Sequence, residues 1–144
     1  MKILVSTDGS EFSRAAVEKC CEIVAAPDDT SIKIVSVYET VEPLDVSLSP
    51  EFSAELEDSA RAKARENADR AAARIAERFP EIAVETQIAA GAADEILIEA
   101  AKDWNADLIV VGSHGQGFWR RMLLGSITDS LVHHAPCSVL VVRK

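Results

Sequence analysis

A cluster of glycines near the carboxyl end of the chain has residue types and spacing that suit ligand binding. Four of the six glycines lie within residues 112–125, after an apolar run and before a segment with helical periodicity. We expect a positive φ at Gly115 and a capping box formed by Ser126 and Asp129. The free N–H groups and the dipole of such a helix N-terminus favour phosphate. An ordinary capped loop fits the same residues, so both interpretations stay open.

Asp8 is a second candidate, because it stands between an apolar run and a segment with helical periodicity. Its carboxylate suits a sugar hydroxyl, or an outer-shell position around a phosphate-bound Mg²⁺. Asp is equally common in turns and at N-caps, so this residue also has two interpretations. A receiver domain is excluded, since that class needs an acidic pair here and further Asp and Lys residues after later strands.

Other nucleotide and metal motifs do not occur in the sequence. The glycine segment lacks the Gly-Lys-Ser/Thr of a Walker A loop, and Arg120 stands where a dinucleotide fingerprint requires glycine. The three cysteines show neither a CxxC motif nor the Cys/His spacing of a zinc site. We therefore expect reduced thiols in a cytoplasmic protein.

The length and charge of the chain limit its organisation and partners. Its 144 residues suit one domain, which we assign to residues 1–144. With 15 Lys and Arg against 24 Asp and Glu, the formal net charge is −9. That charge argues against binding to nucleic acid or to an anionic membrane surface, and no apolar run approaches the roughly 20 residues of a membrane span. An anionic ligand would need local hydrogen-bond donors.

Apolar runs alternate with helix-period segments along the whole chain, which predicts an α/β domain with a mostly parallel, doubly wound sheet. Ligands bind such sheets at the carboxyl ends of the strands, where the strand order reverses. The polar side of the third strand predicts a sheet edge, and the first turns of the long second helix are expected to project. The strands are predicted at residues 2–6, 32–38, 82–88, 107–112 and 138–143, and the helices at residues 10–26, 50–79, 92–103 and 126–134.

The glycine segment, spelled Gly112-x2-Gly115-x9-Gly125-Ser126, resembles the nucleotide-binding signature of the universal stress protein family, in its ATP-binding branch. The resemblance covers the whole chain and is supported by residues 2–10, 106–115 and 131–142. It implies an adenine-nucleotide α-hydrolase-like sheet of five parallel strands in the order 3-2-1-4-5, with helices on both faces.

The same resemblance implies a set of contacts to ATP, bound with Mg²⁺. Thr7 and Asp8 correspond to positions that line adenine and ribose, and Val37 to the position whose backbone contacts the adenine edge. Gly112 and Gly115 correspond to positions that flank the ribose and α-phosphate. Gly125, Ser126 and Ile127 correspond to positions that supply N–H groups to the distal phosphates.

These observations indicate an ATP-binding regulatory protein rather than a fast enzyme, because a P-loop lysine and a positioned general base are both missing. Two other functions stay open: a nucleotide-independent interaction module, and an adenylate-forming enzyme of the α-hydrolase type. We expect His114 to be an exposed loop side chain, whereas Arg120 and Arg121 place positive charge near the glycines. Protein partners are expected for a regulatory protein.

The last strand predicts a homodimer. Residues Ser138–Val142 form an apolar run that the expected strand order places at a sheet edge, where unpaired N–H and C=O groups invite another strand. Antiparallel pairing with the same strand of a second copy would close that edge under two-fold symmetry. The alternative is that residues 119–124, or a helix, cover this edge within one chain.

Overall fold

Strands and helices alternate along the chain in the computed structural model, which describes residues 1–40, 49–115 and 124–144. The strands are β1 (Lys2–Ser6), β2 (Ser31–Tyr38), β3 (Val84–Ala90), β4 (Leu108–Gly112) and β5 (Ser138–Val142). The α-helices are α1 (Glu11–Ile23), α2 (Pro50–Arg78), α3 (Ala93–Trp104) and α4 (Ser126–His134). Arg120 and Arg121, most of residues 119–124, and most of the loop between β2 and α2 lie outside the described residues.

The five strands form one parallel sheet in the order β3-β2-β1-β4-β5, which confirms the predicted fold. The chain moves from β1 outward to β2 and β3, then crosses back to β4 on the other side of β1. The order therefore reverses at β1, and the carboxyl ends of β1 and β4 border the crevice where ligands bind in sheets of this kind.

Helices cover both faces of the sheet, and each strand contributes alternate side chains to the two cores. Helices α1 and α2 pack on one face and α3 and α4 on the other. The first core includes Ile3, Val5, Cys20, Ile34 and Ile75, and the second includes Leu4, Val35, Leu97, Ile109 and Leu131. None of the described helices is long and apolar enough to cross a membrane.

The predicted strand at residues 82–88 is displaced by two residues, to Val84–Ala90. Ile82 is buried, as its hydrophobicity suggested, but it lies in the turn after α2, where its N–H donates to the Phe79 carbonyl. At the other end, pairing with β2 extends as far as Ala90. The predicted edge position of this strand is confirmed.

Helix α2 projects at its start, as predicted. Ser49 caps the helix by accepting a hydrogen bond from the Phe52 N–H at 3.2 Å. Phe52 is 47% exposed and Leu56 is 37% exposed, whereas Ala64, Ala68, Ala71 and Ile75 further along the helix are buried. The buried part of the helix covers β2 and β3, so α2 also forms a wall beside the carboxyl ends of the strands.

Candidate functional site

A cavity of about 1170 Å³ opens at the carboxyl ends of the strands, above β1 and β4. It is larger than most small-molecule sites, which measure roughly 300–1,000 Å³. The structure brings all eight predicted site residues to its lining, although they come from four separate segments of the chain. These residues are Thr7, Asp8, Val37, Gly112, Gly115, Gly125, Ser126 and Ile127.

The end of β1 presents two polar side chains to the cavity. Thr7 is buried, and its backbone N–H donates to the Val35 carbonyl at 3.0 Å, which continues the sheet ladder by one residue. The Asp8 carboxylate accepts a hydrogen bond from the Ser10 N–H at 2.9 Å, so it is held at the start of α1. Asp8 thus acts as the predicted turn residue, and its carboxylate also faces the cavity.

Gly115 lies close to the carboxylate of Asp8. A Cβ at Gly115 would lie 3.0 Å from Oδ2 of Asp8. The predicted positive φ at this position is wrong, because the positive-φ glycines among the described residues are Gly9 and Gly91. Positive φ values occur instead at Gly9 in the β1–α1 loop, where φ is +76°, and at Gly91 before α3, where φ is +133°.

The N-terminus of α4 faces the cavity without a side-chain cap. Gly125 is the N-cap residue, and Ser126 is the first helical residue, so the predicted capping box of Ser126 with Asp129 is wrong. The Asp129 N–H instead donates to the Gly125 carbonyl at 2.9 Å, as the first backbone bond of the helix. The N–H groups of the preceding helical residues have no intrahelical acceptor and are suited to an anion.

A buried threonine ties this helix to the strand before it. The Thr128 hydroxyl donates to the Gly112 carbonyl at 2.9 Å, and Thr128 is only 2% exposed. The Gly125 N–H adds a second tie by donating to the Ser113 carbonyl at 2.9 Å. Sequence analysis missed Thr128, since a lone threonine in a short amphipathic helix carries no signal of its partner.

His114 is half-buried and lines the cavity, so the prediction of an exposed side chain is wrong. Its Nδ1 lies 3.1 Å from the Ser113 hydroxyl, and its ring centroid lies 5.2 Å from that of Phe12. Packing of α1 against the end of β4 brings these rings together. The same packing explains Gly112, where a Cβ would lie 2.7 Å from the backbone carbonyl carbon of Phe12.

Helix α2 supplies a wall of the cavity that sequence analysis did not predict. Ala60, Lys63, Ala64 and Asn67 lie there at helical spacing. The Asn67 amide covers Gly9 so closely that a Cβ on that glycine would lie 2.3 Å from Oδ1. The only sequence signal for this wall was the polar side of a long helix, and such a side is ordinarily exposed to solvent.

The charges around the cavity are mostly negative. Among the described lining residues, the carboxylates of Asp8, Glu39 and Asp94 outnumber the ammonium of Lys63. The net charge of the chain has the same sign. A bound anion would therefore depend on directed N–H groups, such as those of α4, rather than on the overall field.

A family model covers nearly the entire chain. The model for the universal stress protein family matches residues 1–143. The chain belongs to the universal stress protein family. A universal stress protein of Methanocaldococcus jannaschii is 32% identical over 143 residues, which are 99% of this chain and 82% of that relative.

Solved structures of the universal stress protein family share this fold. UspA from Lactobacillus plantarum is 28% identical and superimposes with a TM-score of 0.84, over 99% of this chain and 97% of that one. A universal stress protein in complex with cAMP is 25% identical with a TM-score of 0.65, over 99% of this chain and 96% of that one. The ligand of the second structure is an adenine nucleotide.

Proposed function

We propose that this universal stress protein binds ATP in the cavity above β1 and β4, and that nucleotide occupancy regulates its contacts with other proteins. The supporting observation is the convergence of all eight residues that match the family's nucleotide positions on one cavity. The similarity to a universal stress protein in complex with cAMP supports an adenine nucleotide as the ligand.

The nucleotide would lie across three strands. Its adenine and ribose would contact Val37, Thr7 and Asp8 at the ends of β2 and β1, and its phosphates would lie at Gly115 and the start of α4. Strands in a sheet are about 4.8 Å apart, so β2 and β4 are separated by roughly 10 Å. The separation allows the two ends of an extended nucleotide to be bound by different strands.

Mg²⁺ would enter with the phosphates. Among the described residues, no group of three or more His, Cys, Asp or Glu is able to hold a metal ion. Mg²⁺ commonly uses one or two carboxylates together with substrate phosphates and water, and Asp8 is the carboxylate that borders the glycine segment. The chemistry of these donors fits a metal ion that the nucleotide carries.

The proposed role is regulatory, with at most slow hydrolysis of ATP. The glycine segment lacks a P-loop lysine, and the described carboxylates on the cavity lining do not form a two-metal site. Without these groups, phosphoryl transfer lacks its usual electrostatic stabilisation. We place the protein in the cytoplasm because its cysteines, Cys20, Cys21 and Cys137, are unpaired thiols.

A homodimer through β5 completes the proposal. This strand ends the sheet and, within the described residues, pairs with β4 alone. The Val142 carbonyl accepts the Ser113 N–H at 2.8 Å, so it faces β4. Neighbouring strand residues direct their N–H and C=O groups to opposite sides, which leaves those of Val139 and Val141 facing away from β4 and suited to a second copy.

Two measurements test ATP binding. Mass spectrometry of small molecules released from the purified protein should detect an adenine nucleotide, and calorimetry should give a higher affinity for Mg·ATP than for Mg·GTP. Failure to bind any adenine nucleotide would overturn the proposal and favour a nucleotide-independent interaction module. If cAMP or AMP binds more tightly than ATP, that nucleotide, and not the triphosphate, is identified as the ligand.

A further inference from the structure

Three buried hydroxyl groups form the floor of the cavity on the side of α2. They belong to Thr7, Ser13 and Ser36, which are 4%, 5% and 1% exposed. The Thr7 hydroxyl donates to the Ser13 hydroxyl at 3.3 Å, and the Ser13 hydroxyl donates to the Ser10 carbonyl at 3.1 Å. Two of the three hydroxyls therefore have protein partners.

Ser36 differs from its two neighbours. Within the described residues its Oγ has no hydrogen-bond partner, although it is buried from solvent. A buried hydroxyl without a partner is unfavourable, because folding removes its bonds to water without replacing them. Such a group in a cavity lining is a candidate for a ligand contact.

The position of Ser36 is set by the pairing of β1 with β2. Ser6 pairs with Val35, so Thr7 follows beside Ser36 at the carboxyl ends of the two strands. Helix α2 faces these hydroxyls and places the small side chains of Ala60 and Ala64 along the cavity. The cavity therefore has a compartment with a hydroxyl floor and a wall of methyl groups.

We infer that the Ser36 hydroxyl contacts the nucleoside moiety of the bound nucleotide. The inference rests on the proposed function and adds a residue to it. Ser36 directly precedes Val37 on β2, whereas the glycines and the start of α4 lie roughly 10 Å away across β1. The hydroxyl is therefore close to the base and ribose and remote from the phosphates.

The hydroxyl would reach the ligand by rotation about its Cα–Cβ bond. Its Oγ is covered by protein atoms, and a serine side chain has three staggered positions about this bond. A polar atom of the nucleoside would supply the partner that the protein does not. A ligand without such an atom would leave the hydroxyl unpaired, which is how a site discriminates between ligands.

The test compares Ser36→Ala with Ser53→Ala by calorimetry with Mg·ATP and with AMP. Ser53 is the matched control, because its Oγ is also buried and unpartnered within the described residues but lies outside the cavity lining. Ser36→Ala should weaken both nucleotides by the same factor, about three- to tenfold for one hydrogen bond. Ser53→Ala should bind both as the wild type does.

The thermal midpoint of the nucleotide-free Ser36→Ala protein adds a second readout. It should equal or exceed that of the wild type, since the substitution removes an unpaired buried hydroxyl. Unchanged affinity of Ser36→Ala for both nucleotides would overturn the inference while leaving ATP binding intact, and so would a loss confined to ATP. A wild-type protein that binds neither nucleotide would overturn the proposed function and this contact with it.

Discussion

The hydroxyl of Thr128 donates a hydrogen bond of 2.9 Å to the carbonyl oxygen of Gly112, which joins the first turn of α4 to the last residue of β4. Thr128 is buried, so water cannot replace this bond when it is lost. The bond fixes the direction of the helix N-terminus relative to the strand ends. In the proposed complex, the same bond determines where the N–H groups of α4 meet the phosphates.

Thr128→Val keeps the shape of the side chain and removes its hydroxyl. We expect the free energy of unfolding to fall by about 1–3 kcal/mol, because the buried Gly112 carbonyl loses a partner. Mg·ATP affinity should fall as well. Urea unfolding and calorimetry measure the two effects. Ser130→Ala is the control: it also removes a hydroxyl from α4, but Ser130 is absent from the cavity lining, so both quantities should stay close to wild type.

Two substitutions at Gly125 separate folding from binding. A Cβ at this residue would lie 3.4 Å from the Ser113 carbonyl oxygen, an ordinary contact, and the φ of −69° suits any residue. Gly125→Ala should therefore fold normally. Gly125→Val should fold but lose ATP binding, because its methyl groups add bulk at the proposed phosphate position. Calorimetry on both variants tests this, and wild-type affinity in folded Gly125→Val would disprove the assignment.

Hydrolysis of ATP by this protein should be slow. Typical enzymes turn over about 10 times per second, and we expect a rate far below that value because the P-loop lysine is missing. Phosphate release from Mg·ATP by highly purified protein measures the rate. Turnover near the typical value, abolished by Gly125→Val, would identify the protein as an enzyme.

Light scattering at micromolar concentration should give twice the 15.5 kDa mass of one chain. Val141→Pro should weaken the dimer, because proline removes an N–H that faces away from β4. Leu140→Pro removes an N–H directed at β4 and should destabilise the fold itself. A wild-type mass of one chain would refute the dimer, as would a Val141→Pro protein that dimerises normally.

Stability at high pH should depend on Cys20. Burial raises the pKa of its thiol from 9.0 to about 12. Because the folded-state pKa is the higher one, this contribution to the free energy of unfolding is complete below about pH 9 and is lost as the pH rises towards 12. Urea unfolding from pH 8 to 11 should show a shallower decline for Cys20→Ala than for wild type. Equal declines would contradict this assignment.

The strands and the first helix show how much of the fold was predictable from sequence. Hydrophobic patterns predicted the five strands, because a strand is identified largely from its own residues. The first predicted helix starts at Ser10, and this residue caps α1, since its Oγ accepts the Ser13 N–H at 3.2 Å. These features depend on neighbours within a few residues, and periodicity and capping are local properties.

Two of the predictions that failed concern residues whose partners are distant in the chain. Gly115 was assigned a positive φ, but what distinguishes its position is a close approach to Asp8, which lies in the loop after β1. His114 was expected to be exposed, but α1 brings Phe12 against it. In both cases the deciding contact exists only because the strand order places β1 beside β4.

By itself, the sequence determined the alternation of strands and helices and the parallel sheet, and its resemblance to the family predicted eight candidate site residues. Only the tertiary structure decided which side chains enclose the cavity with them: Thr128 on α4, Asn67 over Gly9, and Ser36 facing α2. The physical reason is that hydrophobic periodicity specifies which face of an element is buried. It does not specify which other element covers that face, and hydroxyl and amide groups acquire their partners from that choice.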